Sequence, residues 1–230
     1  MPTSDCLVSN DRRSVRTRAA LRLALAQEID ATGDLTRVTV TAVTERAGVT
    51  RRTFYSHYKD IPDLVAQIEN EALADLRVHV ERIAQCHLGH LAEALQAHEP
   101  APGSECLLRA VAERGEYLRP LLGDGGDPAF AERLKRMAYD AVVGRALDGI
   151  DVRAMGSFFD YYLTFAISAE VGVLLRWLEG GMRESVEAMA RLMTALMFVR
   201  PGDLYGNPID FDIPGFALAI MRCEENHDVR

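Results

Sequence analysis

Apolar positions in the first sixty residues fall into short stripes separated by single punctuating residues. In RSVRTRAALRLALAQEIDA, residues 13–31, Val15, Ala19, Leu23, Ala26 and Ile29 recur every three or four positions, which predicts an amphipathic helix closed by Gly33. Thr39 is placed to cap a second helix, VTAVTERA, with Val40, Val43 and Ala47 on its inner face and Gly48 ending it at positive φ. Thr50 then caps a third helix beginning RRTFYSHY. Asp60 caps a fourth, with Pro62 in its first turn and Asp63 completing the cap. The second and third helices are joined only by AGVT, a short glycine-containing link that predicts a helix-turn-helix. On the third helix Phe54 and Tyr58, four apart, face inward, while Arg51, Arg52, Tyr55 and Lys59 face out.

From Asp60 onward the pattern predicts helix throughout: one segment from Asp60 to about Gln85, then 88–98, 105–119, 127–147, 151–179 and 185–199. The breaks fall at HEPAPGSE, LLGDGGDP, Gly149 and EGGMRES, and Asp127–Pro128 and Asp151 read as capped starts. No strand and no internal repeat is predicted. After Arg200 the stretch RPGDLYGNPIDFDIPGF reads as irregular and FALAIMRC as a short terminal helix. The tail's Phe211, Ile213, Phe216, Leu218 and Ile220 are too many to leave exposed, so it is expected to fold back. The fold class is therefore all-α. It divides into an N-terminal three-helix helix-turn-helix domain (1–59), a helical domain (60–200) and a C-terminal extension (201–230).

Charge sharpens that division. Residues 1–59 hold ten Arg and Lys against six Asp and Glu, whereas residues 60–230 hold sixteen against twenty-eight. A basic end on an acidic body points to a polyanionic partner at one end only. The 48% hydrophobic content supports a sizeable core. The first residues lack the apolar run of a signal peptide, and no uninterrupted apolar stretch approaches the ~20 residues that span a bilayer. Cys6, Cys86, Cys106 and Cys223 show no paired spacing and read as reduced thiols, which implies a cytoplasmic protein. Cys86 and His90, four apart, with His79, His87 and His98 nearby, lack a second ligand pair and read as ordinary surface groups, so neither metal nor cofactor is expected. No G-x-S-x-G, P-loop or dinucleotide fingerprint is present, and no enzyme activity is expected.

The stretch from Thr39 to Val65, TVTAVTERAGVTRRTFYSHYKDIPDLV, resembles the helix-turn-helix of the TetR family of transcriptional regulators. The resemblance lies in the capping Thr39, the ERAGV turn, a hydroxyl at Thr50, the run Thr53, Phe54, Tyr55, His57 and Tyr58, and Lys59–Asp60 ahead of the fourth helix. Further on, AEVGVLLRWLEGGMRESVEAMARLM, residues 169–193, resembles the C-terminal pattern of one branch of that family. Some members of that branch regulate dihydroxyacetone utilisation, one of them by binding a kinase-like protein. The resemblance implies that Thr50, Arg51, Arg52 and Thr53 open a recognition helix in the major groove. It implies phosphate contacts from Thr39, Tyr55, His57 and Lys59, and a basic arm of Arg12, Arg13 and Arg16 on the flanking backbone.

The resemblance further implies a cytoplasmic homodimer acting as a repressor on a double-stranded, pseudo-palindromic DNA operator and released by a small-molecule effector, with no role for a membrane. Helices 151–179 and 185–199 are expected to pair as a four-helix bundle. Ala166, Ala169 and Gly172 would permit close approach there, with Leu192 and Leu196 supplying apolar area. An effector cavity is expected among helices 105–179, with Tyr117, Met137, Tyr139, Phe159, Tyr162 and Phe165 as liners. The aromatic run Phe158, Phe159, Tyr161, Tyr162 and Phe165 fits a cavity, plain core or a dimer interface. Trp177 reads as a packing anchor. The alternative is a helical regulator or adaptor controlled by a protein partner.

Overall fold

The computed structural model describes residues 4–86, 88–144 and 156–197. Among them lie ten α-helices, one 3-10 turn and no strand, so the chain is all-α. The helices are α1 (Ser4–Thr32), α2 (Val40–Ala47), α3 (Arg51–Tyr55), α4 (Ile61–Ala84), α5 (Leu88–Ala97), α6 (Ser104–Ala112), α7 (Gly115–Leu122), α8 (Pro128–Val143), α9 (Gly156–Glu179) and α10 (Val186–Leu196), with the 3-10 turn at Leu35–Arg37. The expectations for His87, Gly149, Asp151, Cys223 and the 201–230 extension, FALAIMRC included, lie outside the described residues.

The local signals form as the side chains dictate. Thr39 accepts a hydrogen bond from the Ala42 N–H at 3.2 Å, Thr50 from Thr53 at 3.1 Å, and Asp60 from Asp63 at 2.8 Å, each satisfying a donor that the helix start leaves orphaned. Asp63 answers by accepting the Lys59 N–H at 2.8 Å. That bond first, and a second from Gln67, hold its carboxyl below the ordinary aspartate range. Gly48 takes φ +66° at the end of α2, a conformation costly for a residue with a Cβ. The Val49 N–H then bonds back to Thr44 O at 3.0 Å.

Three elements differ from the sequence pattern. α3 ends at Tyr55, so Tyr58, expected on that helix, follows it after a short turn. On α1, Val15 and Ala19 are exposed and Leu23 is half-buried; the buried stripe is Leu21, Ala24, Leu25, Ala26, Glu28 and Ile29. Apolar residues occupy almost every angle of this helix, so periodicity cannot choose the inner face. The neighbours α2 and α7 choose it, and they cover the C-terminal half. The segment 105–119 is not one helix but two, because α6 packs on α4 and α10 while α7 turns to lie along α1 and α9. Arg114 fixes the break: its guanidinium bonds to Ala110 O at 2.8 Å, near the end of α6, and to Asp75 of α4 at 2.7 Å.

One cluster of buried residues runs from Leu21 of α1 through Phe54, Leu64 and Ile68 to Leu118, Phe130, Trp177 and Ala190. α4 carries it across the boundary expected at residues 59 and 60, with Ile61, Leu64 and Val65 near its start and Ala72 and Leu76 further on. Trp177 is buried, its indole N–H donating to Glu184 O at 3.2 Å, as an anchor should be. The segment Phe158–Glu179 is long and apolar enough to cross a bilayer by length and composition. It also carries Asp160, Glu170 and Arg176, and it packs on α7 and α8 through Leu163, Val171, Leu174 and Leu178, as a body helix does.

Candidate nucleic-acid interface

Among the described residues α3 is anchored by its apolar side. Phe54 is fully buried and Tyr58 nearly so, their rings 5.7 Å apart. Burial of Tyr58, more than any neighbouring charge, pushes its hydroxyl above the ordinary tyrosine value. Val43 of α2 and Ile61 and Leu64 of α4 share this core. Such an anchorage leaves the opposite edge free. Arg51, Arg52, Tyr55 and Lys59 are exposed, Thr53 and His57 are half-buried, and Tyr55 stands edge-on against Phe54 at 5.5 Å.

The residues marked by the sequence between Thr39 and Lys59 lie at α2, at α3 and in the segment that follows α3. Thr39 and Thr50 are exposed caps at the starts of α2 and α3, and the Thr50 and Thr53 hydroxyls lie 2.9 Å apart. Arg12, Arg13 and Arg16 are exposed on α1. Arg46 is withdrawn from the set, since it pairs with Glu28 at 2.5 Å and ties α2 to α1. The outward groups are nearly all hydrogen-bond donors, chemistry suited to phosphate oxygens and to the acceptor edge of guanine. One participant escaped the sequence pattern: the Arg51 guanidinium donates to the hydroxyl of Thr41 on α2. A threonine in the first turn of α2 gave no periodic signal, because its partner is ten residues away.

The other marked residues are dispersed over the body. Tyr117 is half-buried on α7, with the Arg22 guanidinium 4.9 Å from its ring centre; burial raises its hydroxyl pKa and Arg22 opposes the shift. Met137 is buried in the main core. Phe159 is buried beside Leu163 in a satellite cluster with Tyr139, and Tyr162 stacks obliquely on Phe159 at 6.2 Å. Tyr162 and Phe165 are exposed, Phe165 to 72%. A shallow cavity of about 210 Å³ opens between α8 and α9, lined by Glu132, Lys135, Arg136, Tyr139, Thr164, Ile167 and Ser168. Of the six expected liners only Tyr139 borders it. The Tyr139 hydroxyl donates to Asp160 at 2.7 Å, which holds its pKa up.

On α9, Ala166 is half-buried, Ala169 and Gly172 are exposed, and a Cβ on Gly172 would meet nothing within 4 Å. Leu192 and Leu196 on α10 are exposed as well. No group of three or more His, Cys, Asp and Glu side chains converges on a metal position among the described residues.

Residues 98–198 match the family model described as the TetR-type transcriptional regulator C-terminal region. A curated relative, the uncharacterized HTH-type transcriptional regulator YxbF of Bacillus subtilis (strain 168), is 31% identical over 70 residues. Those residues are 30% of this chain and 18% of the relative, so the match spans less than a fifth of the relative's length. A helix-turn-helix head with an exposed, donor-rich edge is thus joined to a body similar to the C-terminal region of TetR-type transcriptional regulators.

Proposed function

We propose that the protein is a homodimeric, cytoplasmic repressor that binds a pseudo-palindromic DNA operator through α3 and is released by a small-molecule effector. The observation that carries this reading is the one-sided anchorage of α3: Phe54 and Tyr58 are buried, while Arg51 and Arg52 stand exposed at its start. Thr50, Arg51, Arg52 and Thr53 face the bases, and Thr39, Tyr55, His57, Lys59 and the arm of Arg12, Arg13 and Arg16 hold the backbone. Dimerisation is supported by a stripe on α9, where Tyr161 and Phe165 are each 72% exposed and Ala169 and Gly172 continue the same face. Leu192, Leu196 and Met197 add exposed apolar area from α10. Pairing through these helices would set two α3 helices about one DNA turn apart, roughly 34–36 Å.

The effector is proposed to act at the α8–α9 contact, where Tyr139, Phe159 and Tyr162 meet. Control by a protein partner is favoured by one observation: Tyr162, beside the α9 stripe, lies on the surface within reach of a protein.

Selection from a random duplex pool tests the DNA reading. Full-length protein should enrich a two-fold-related site, and its affinity should fall steeply with salt. Failure to enrich any sequence would refute the operator. Gly172→Arg should give monomers in sedimentation and lose the site; a variant that stays dimeric would refute the α9 interface.

A further inference from the structure

We infer that Thr41 is a positioning residue for base recognition, holding Arg51 in the orientation in which it meets the DNA; the inference rests on the operator-binding reading above. The two exposed arginines at the start of α3 are not equivalent. Arg51 turns back toward α2 and donates from Nη2 to the Thr41 hydroxyl oxygen, whereas the Arg52 guanidinium has no hydrogen-bond or ion-pair partner among the described residues. Thr41 sits half-buried in the first turn of α2, and its own carbonyl accepts the Thr44 hydroxyl at 3.0 Å, so the acceptor stands on a fixed support.

A guanidinium presents five N–H donors in a rigid planar fork. Spending one on Thr41 leaves enough for a bidentate contact with the acceptor edge of guanine, and it fixes the plane of the fork before DNA arrives. A long side chain ordered in advance loses less freedom on binding, which corresponds to about two- to tenfold in affinity. Thr41 therefore sets how sharply one base pair per half-site is discriminated. The contact is not needed to hold α2 against α3, because Val43 and Phe54 are both fully buried and the Gly48 turn fixes the crossing.

The experiment uses the full chain as wild type, Thr41→Val, Thr41→Ser, Arg51→Ala and the Thr41→Val/Arg51→Ala pair. Each is measured by base-by-base competition on the site the wild type selects, with salt dependence and melting temperature alongside. Thr41→Val should weaken preference about two- to tenfold at one position per half-site, the position that Arg51→Ala also relaxes. Salt dependence and melting temperature should not move, and Thr41→Ser should restore the wild-type preference. In the Arg51→Ala background Thr41→Val should add nothing. An unchanged preference in Thr41→Val overturns the inference while leaving the operator reading intact. So does an equal effect in the Arg51→Ala background, which would mean that Thr41 touches DNA itself. A uniform loss across sequences with a lowered melting temperature also overturns it. A wild type that selects no site overturns the operator reading and this one together.

Discussion

Arg133→Met should be among the most damaging single substitutions in the body. Glu69 of α4 is 1% exposed, and its carboxylate is met by Nη2 of Arg133 from α8. Its other oxygen, Oε1, is buried and has no partner among the described residues, and neither has Nε of Arg133. Arg133 lies over the Phe130 ring at 5.7 Å, reaches Asp127 at 3.6 Å and keeps a third of its side chain in solvent. Breaking a buried pair by removing one partner costs about 3–5 kcal/mol, because a charge is left behind in low dielectric. Water entering from the exposed side of Arg133 places the loss near the lower end, about 3 kcal/mol. In a chain of this size that is roughly 6–12 °C in melting temperature.

The geometry also predicts an asymmetry. Glu69→Leu leaves an arginine that can swing toward solvent and Asp127, so it should cost clearly less than Arg133→Met. The double replacement Glu69→Leu/Arg133→Met removes both charges from a pair that satisfies neither fully, and should be neutral or stabilising. Urea titrations followed by helical circular dichroism, at one fixed protein concentration, give the four-way comparison. Arg133→Met within about 1 kcal/mol of wild type, or a double variant weaker than either single, would refute the reasoning.

Gly125→Ala should loosen the head from the body. A Cβ there would fall 2.7 Å from Gly33 O, and the Leu35 N–H bond to Gly125 O, also 2.7 Å, would open; a loss of about 1–3 kcal/mol in the same titration is expected. Glu170 of α9 is desolvated, which pushes its carboxyl up to about 7 from the ordinary 4.5. Its folded value lies above its unfolded one, so the native state holds the extra proton. Stability contributed by this group is full below pH 4.5, falls as pH rises toward 7 and is flat above that; Glu170→Gln should remove this component of the slope, and an unchanged pH profile would show that Glu170 is hydrated.

What the sequence made legible was local. Thr39, Gly48, Thr50 and Asp60 act on groups within a few residues of themselves, so their chemistry is visible in a short window, and the helix-turn-helix follows from them. Phe54 and Tyr58 were legible from their four-residue spacing, and both are buried although α3 ends at Tyr55 and Tyr58 follows it after a short turn. α1 was not, since Val15, Ala19, Leu21, Leu23, Ala24 and Leu25 surround its axis, and only tertiary neighbours decide that Leu21 is buried and Val15 is not. The Thr41–Arg51, Glu69–Arg133 and Leu35–Gly125 contacts join residues 10, 64 and 90 positions apart, a separation that no pattern of spacing encodes.

Those distant contacts bear on how the head can move. The link from head to body is not α4 alone. GDGGD between α7 and α8, which reads in the sequence as mere punctuation, grips the head at Gly33 and Leu35, and Arg119 of α7 adds an ion pair to Asp30 of α1 at 2.5 Å. Asp127 at the end of that loop caps α8, accepting the Ala129 N–H at 2.9 Å, and lies within 3.6 Å of the arginine that pairs with Glu69 on α4. Rotation of the head about α4 with α7 and α8 at rest would break a backbone hydrogen bond and an ion pair while exposing core residues such as Leu25 and Leu118. Tilting α4 against α8 would strip a buried carboxylate of its partner. The motion that keeps all of these contacts carries α4, the α7–α8 loop and the head together, so a signal that shifts α8 reaches α3 without the head having to come free.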